Sequence, residues 1–157
     1  RAHQPLFDDL ASRVLGFHQI PASDDPWLLE RRVVNPDAPE NNWVYPISST
    51  PPTAVIPYLL LSTLNDPRMP QDMQMVAIMA TQNEGAWQVQ QKDGIPVTIP
   101  LMEVKAYTAA FPNKSQVYHP YEISADLLGY WMAGHSTGDT DHPMRASLVA
   151  WAVKNLQ

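Results

Sequence analysis

The chain contains no cysteine, and it is poor in glycine and in charged residues. The lack of cysteine excludes disulfides, thiol nucleophiles and cysteine-based zinc sites. Only 6 glycines stand against 16 prolines, so many turns must be made by proline rather than by glycine. No apolar run approaches the roughly 18 residues that a membrane-spanning helix needs. The sequence therefore predicts a globular protein that does not cross a membrane.

The balance of charge is acidic, with 10 Lys and Arg against 16 Asp and Glu among 157 residues. Proteins that bind nucleic acid use basic patches to displace the counterions of phosphate groups. The only basic cluster here is Arg31-Arg32, so we do not expect nucleic acid as a partner. The length is sufficient for one well-packed domain without metal or disulfide support.

The composition divides the chain into two parts. Residues 1–52 are predicted to be an N-terminal extension, with a helix over 4–17, a second helix capped by Asp25 and started by Pro26, and a proline-rich connector over 35–52. Residues 53–157 are denser in apolar residues and are predicted to be the main domain.

The main domain is predicted to be helical over 54–64, 70–83, 100–111 and 120–132, with a last helix from 141. The run 75–80 is apolar on every side, which is typical of a helix buried all round, and Gly85 suits the cap after its end. Apolar alternation on both sides of Asp93-Gly94 predicts one hairpin. The expected fold class is α+β, mainly α, with one small β-hairpin.

Glu84 is the principal candidate for chemistry. At the C-terminal end of a buried helix, the helix dipole and the loss of water would both favour the protonated carboxyl that a general acid needs. From position alone, an exposed glutamate before a glycine cap is the better interpretation.

Four segments resemble, in order and spacing, the lysozyme-like lytic transglycosylases, a group that includes the goose-type lysozyme superfamily. They are MVAIMATQNEG at 75–85, PLMEVKAYTA at 100–109, YHPYEI at 118–123 and ASLVAW at 146–151. The resemblance implies a lysozyme-like helical domain of a bacterial, periplasmic or extracellular protein. It further implies a glycosidase that cleaves the β-1,4 bond between N-acetylmuramic acid and N-acetylglucosamine in peptidoglycan of the cell wall. Glu84 would be its single acid and base, and neither cofactor nor metal would be needed.

Further site residues follow from the same resemblance. We expect substrate contacts from Trp87, Met102, Glu103, Tyr107 and Tyr118. Asp93 is similar in spacing to the second carboxylate of phage-type lysozymes, but an Asp-Gly pair is more simply explained as a turn.

Departures from the family pattern at Gly85, Pro100 and Trp151 support an alternative. It is a non-catalytic module that binds peptidoglycan, or binds other protein subunits in a bacterial secretion, conjugation or phage assembly. A third interpretation, a metal hydrolase, would use His135, Asp139, Asp141 and His142, although turn chemistry explains that loop more simply. The Gly-x-Ser-x-Gly match at 134–138 is interpreted as coincidence, because a helix, not a strand, is predicted before it.

Overall fold

The structure is a computed structural model, and it describes residues 4–34, 42–112, 117–133 and 146–156. Eight strands and five α-helices make up this part of the chain. The strands are β1 (His18–Gln19), β2 (Trp43–Ser49), β3 (Pro52–Leu61), β4 (Met73–Asn83), β5 (Ala86–Val89), β6 (Gln91–Lys92), β7 (Ile95–Pro96) and β8 (Thr98–Pro100). The helices are α1 (Gln4–Leu10), α2 (Pro26–Arg31), α3 (Lys105–Ala110), α4 (Pro120–Met132) and α5 (Ala146–Asn155).

Six of the strands form one antiparallel sheet in the order β1-β2-β3-β4-β5, and β8 also pairs with β4. One edge of β4 pairs with β3, and the other edge pairs with two strands, β5 and β8. β5 pairs with its C-terminal end, from Ala80 to Asn83, and β8 pairs with Val76 to Ile78. Between them the chain makes a separate small hairpin from β6 and β7.

The two longest strands correct the sequence prediction. The helices predicted over 54–64 and 70–83 are β3 and β4, which pair without interruption from Thr53 opposite Thr81 to Leu61 opposite Met73. A run that is apolar on every side suits a strand buried on both faces as well as a buried helix. Both faces of this sheet are covered around β4, so its apolar residues alternate between two cores.

One face of the sheet, which we call the helical face, is covered by α1, α3, α4 and α5. Helix α1 continues as a π-helical turn, Ala11–Leu15, and a 3₁₀ turn, Leu101–Glu103, precedes α3. The buried residues include Leu10, Phe17, Trp43, Val55, Ala77, Leu101, Tyr107, Phe111, Leu128, Leu148 and Trp151. Phe17 stacks on Phe111 with ring centroids 5.5 Å apart and also contacts Tyr45 and Tyr107.

The opposite face of the sheet, which we call the α2 face, is covered by fewer residues of the described chain. Its sheet residues are Val44, Ala54, Ile56, Tyr58, Leu60, Val76, Ile78 and Ala80, and the buried residue from outside the sheet is Leu28 of α2. As predicted, Asp25 caps this helix, since its carboxylate accepts the backbone N–H groups of Trp27 and Leu28 at 2.9 and 3.2 Å. Asp25 also accepts the side-chain amide of Gln91, which ties α2 to the small hairpin.

The expected fold class is wrong in its proportions. Of the described residues, helix accounts for 38% and strand for 32%, with a six-stranded antiparallel sheet, so the fold is α+β with a substantial sheet rather than mainly α. A lysozyme-like helical domain with one hairpin does not describe it. The prediction is wrong because the connector over 35–52 contains β2, and because the segments expected as helices over 54–64 and 70–83 are β3 and β4.

The N-terminal segment shares this sheet and this core. The boundary predicted at residue 53 falls within β3, which pairs with β2. Asp8 of α1 accepts a hydrogen bond from the hydroxyl of Tyr121 in α4, and Asp9 accepts one from the indole N–H of Trp151 in α5 at 2.8 Å. Helix α1 therefore joins two helices of the C-terminal part.

Candidate functional site

Glu84 lies in the turn between β4 and β5, with its side chain exposed. Glu84 and Gly85 both have positive φ, at 50° and 83°, which is the signature of a two-residue type I′ hairpin turn. The buried helix that was expected to deliver this glutamate is β4. The carboxyl of Glu84 is therefore exposed to solvent, whereas the prediction required it to be partly shielded from water.

Asp93 occupies an equivalent turn. It is exposed, its φ is 54°, and with Gly94 at 77° it connects β6 to β7. The hairpin predicted across Asp93-Gly94 is confirmed, with Lys92 opposite Ile95. The backbone requirement of the turn accounts for both residues, so the geometry adds no catalytic role for Asp93.

The other predicted residues lie on different parts of the molecule. Met102 is half-buried against the core of the helical face, and Glu103 beside it is exposed. Tyr107 is fully buried, and its hydroxyl donates to the carbonyl of Val117 at 2.6 Å. Burial, and secondarily Tyr45, raises the pKa of Tyr107 well above its usual value. Tyr118 is half-buried in the turn before α4.

Trp87 is the predicted residue that borders a groove. It lies on β5 opposite Gln82, and its half-buried ring packs against the core of the α2 face. The groove has a volume of about 460 Å³. Its lining residues come from β2, the start of β3, the end of β4 and β5: Pro46, Ile47, Ser48, Ser49, Pro52, Gln82 and Trp87. We call this concavity the Trp87 groove.

The Trp87 groove exists because α2 covers only part of its face. Helix α2 lies toward the other end of β3, where Arg32 bridges to Leu60 and the N–H of Val33 bonds to the carbonyl of Leu59 at 2.8 Å. At the groove end, the pairing of β2 with β3 shifts register between Pro46 and Ser48. Within the described residues, this end of the sheet face is lined by side chains and is not covered by a helix.

The groove combines an aromatic ring with uncharged polar groups. None of its lining residues carries a charge, and the polar ones are Ser48, Ser49 and Gln82. The side-chain amide of Gln82 is held in place, because it donates to the carbonyl of Gly85 at 3.1 Å. Such a surface presents an aromatic face, hydroxyls and an amide oxygen to a ligand.

The sequence prediction missed six groove residues, which are Pro46, Ile47, Ser48, Ser49, Pro52 and Gln82. The signal that identifies Gln82 is the two-residue period of β4, which places it on the same face as Ile78 and Ala80. That signal was lost when β4 was read as a helix. The residues of β2 were assigned to a connector without regular structure, so no face was predicted for them.

A second concavity of about 370 Å³ lies between α1 and α5, lined by Pro5, Leu6, Asp9, Arg13, Trp151, Lys154 and Asn155. Its carboxylate is fully engaged. Asp9 accepts Trp151 on one oxygen and pairs with Arg13 at 2.7 Å through the other. These two contacts join α1 to α5 and account for the position of the Asp9 carboxylate.

Among the described residues, no three His, Cys, Asp or Glu side chains are grouped as metal ligands. The predicted cluster of His135, Asp139, Asp141 and His142, and the match at 134–138, lie outside the described residues. Within the described chain, no helix has the length and apolar character to span a membrane.

Comparisons with known proteins return no family for this chain. No protein-family model matches it, and no curated protein and no solved structure is significantly similar.

Proposed function

We propose that this protein is a non-catalytic binding module that holds a saccharide strand in the Trp87 groove. The observation that carries the proposal is the position of Trp87 at the open end of the α2 face, beside Gln82, Ser48 and Ser49. The ring of Trp87 lines the groove and also packs against the core of the α2 face, and this packing holds the ring in position.

The chemistry of the lining favours a sugar. The C–H faces of a pyranose ring pack on an aromatic ring, while its hydroxyl and acetamido groups need donors and acceptors at the rim. The serine hydroxyls and the Gln82 amide supply such groups, and the lining carries no charge that a charged ligand would need to match. An uncharged saccharide with alternating apolar faces and polar edges fits this surface better than an anion does.

The saccharide we propose is the glycan of peptidoglycan, in the periplasm or outside the cell. This choice rests on the fit of N-acetylated sugars to the groove lining, since the segment 75–85 that resembles the family's catalytic helix is strand β4 and its turn here. Both sugars of that strand carry N-acetyl groups, which offer a methyl to the prolines of the groove and an amide to its hydroxyls. The competing proposal is that the module binds a protein subunit of an envelope assembly. Absence of binding to sacculi and to chitotetraose would favour it.

We do not propose that this protein cleaves the glycan. A single carboxyl that works as both acid and base must be kept partly dehydrated next to the bond that breaks. Glu84 is exposed in a type I′ turn, and it is not among the groove-lining residues.

The test compares binding and turnover in one set of samples. The purified protein is sedimented with intact sacculi, titrated calorimetrically with chitotetraose, and assayed for anhydromuropeptide products. We expect co-sedimentation and measurable heat without product. Trp87→Ala should weaken chitotetraose binding by roughly twofold to tenfold, in line with about 0.5–1.5 kcal/mol for an aromatic stacking contact.

Trp131→Ala is the matched control, because it removes another half-buried tryptophan, on α4 and away from the groove. It should leave binding unchanged in any sample that circular dichroism shows to be folded. Absence of binding to both sacculi and chitotetraose would overturn the proposal. Release of anhydromuropeptides by the parent protein would overturn its non-catalytic part.

A further inference from the structure

We infer that Gln82 and Ser48 select sugars that carry an acetamido group, because together they offer one fixed acceptor and one fixed donor to a secondary amide. This selectivity rests on the saccharide function proposed above, and it assigns the choice between sugars to two side chains of the Trp87 groove. The orientation of each side chain is set by a hydrogen bond to the backbone.

The side-chain amide of Gln82 has one favourable orientation. Its Nε2 group donates to the carbonyl oxygen of Gly85 at 3.1 Å. The flipped amide would bring two carbonyl oxygens together at that distance, so the NH₂ end must face Gly85. The oxygen Oε1 lies at the other corner of the planar amide, and no donor within the described residues bonds to it. Gln82 therefore offers an acceptor to a ligand in the groove.

The hydroxyl of Ser48 has the opposite polarity. Its oxygen accepts the backbone N–H of Thr50 at 3.2 Å. Because a backbone N–H can only donate, this bond uses a lone pair of the hydroxyl and leaves its hydrogen for another acceptor. In the part of the chain that the structure describes, no acceptor takes this hydrogen. Ser48 therefore offers a donor to the same ligand.

The two groups lie on strands that are separated by β3. Thr53 of β3 is opposite Ser48 of β2 on one side and opposite Thr81 of β4 on the other. Gln82 follows Thr81, and its partner across β5 is Trp87. The backbones of β2 and β4 are therefore roughly 10 Å apart. A ligand that reaches both polar groups must cross the face of β3.

A secondary amide matches this arrangement better than a hydroxyl does. In a trans amide the N–H and the C=O point in opposite directions, so one amide can donate to Gln82 and accept from Ser48 at the same time. A sugar hydroxyl donates and accepts at one oxygen atom, which would have to lie within about 3 Å of both groups. The acetamido group of an N-acetylated sugar is such an amide. Gln82 and Ser48 should therefore favour it over the hydroxyl that glucose carries at the same carbon.

The test compares two tetrasaccharides that differ at this carbon. Chitotetraose carries an acetamido group there, and cellotetraose carries a hydroxyl. In calorimetric titrations, the dissociation constant should be roughly tenfold or more lower for chitotetraose, as two hydrogen bonds of ordinary strength predict. Gln82→Met and Ser48→Ala each remove one of these bonds, and each should reduce the ratio of the two constants by roughly threefold.

Gln88→Met is the matched control, because Gln88 is exposed on β5 and does not line the groove. It should leave the ratio unchanged. Gln82 and Ser48 are also exposed, so circular dichroism should show all three variants to be folded.

The outcomes separate this selectivity from saccharide binding itself. Equal affinity of the parent protein for the two tetrasaccharides would overturn the selectivity and leave saccharide binding in place. A preference for chitotetraose that persists undiminished in Gln82→Met and in Ser48→Ala would also overturn it. Absence of binding to both sugars would overturn the proposed saccharide function and the selectivity with it.

Discussion

The two faces of the sheet differ in how completely they are covered, and this difference separates structural from functional surface. The helical face carries four helices and a cluster of aromatic rings around Phe17 and Tyr107. The α2 face carries one helix of six residues, and its far end is left open as the Trp87 groove. The Trp87 groove, the site proposed for saccharide binding, lies where the cover by the described helices ends. Stability should therefore reside mainly on the helical face and binding on the α2 face.

The largest effect is expected from Phe17→Ala. Phe17 is 1% exposed and contacts Tyr45, Tyr107 and Phe111. Its truncation should lower the free energy of unfolding by about 3–5 kcal/mol, because the rings around it leave a cavity. Leu28→Ala, the equivalent change under α2, should cost about 2 kcal/mol. Urea denaturation measures both, and an equal or larger cost for Leu28→Ala would contradict the assigned difference between the faces.

The next effect is expected from Asp9→Ala. The change removes the acceptor of the Trp151 indole N–H, and it removes the partner of Arg13. The lost hydrogen bond to a charged group should cost about 1–2 kcal/mol of unfolding free energy. Asp24→Ala, at an exposed position, is the control and should be neutral within about 0.5 kcal/mol. A neutral Asp9→Ala would mean that α1 is not held to α5 by this contact.

A smaller, pH-dependent effect is expected from Tyr107→Phe. Burial raises the pKa of Tyr107 in the folded chain, so the unfolded chain ionises first, near pH 10. Stability should therefore be intact below about pH 10 and should fall as the pH rises beyond it. In Tyr107→Phe the fall should be shallower but not absent, because burial also raises the pKa of Tyr58. Identical slopes in alkaline denaturation experiments would contradict the buried position of this phenol.

The smallest effect is expected from Glu84→Gln. The side chain is exposed, so the unfolding free energy should change by less than about 0.5 kcal/mol. Chitotetraose binding should also be unchanged, since Glu84 does not line the groove. A large loss of saccharide binding in Glu84→Gln, with the fold intact, would return Glu84 to the site and contradict this placement.

The elements that were predictable from the sequence are those with local signals. Helix α4 begins at Pro120 and ends at Met132 as predicted, because proline suits a first helical position and the apolar period is clear. The N-cap of α2 at Asp25 and the turn at Asp93-Gly94 are equally local. β3 and β4 were not predictable in this way. Their identity depends on both faces of the sheet being covered by distant parts of the chain, which no local pattern reports.

The candidate site was predictable to a smaller degree. Trp87 was expected in a groove, and the structure places it beside one, but the expected neighbours Met102, Glu103 and Tyr107 belong to the helical side. A groove between β2 and β5 requires knowledge of strand order, since these strands are far apart in sequence. Because 70–83 was predicted to be a buried helix, Glu84 was expected to be partly buried, whereas it is exposed in the turn after β4.

The most direct test of saccharide binding at the open end of the α2 face is a titration of ¹⁵N-labelled protein with chitotetraose, followed through the indole N–H signals of its 5 tryptophans. We expect the Trp87 signal and the Gln82 side-chain amide signals to shift together and saturably, while those of Trp131 and Trp151 stay in place. Shifts confined to other tryptophans, or no shifts at millimolar sugar, would contradict the account.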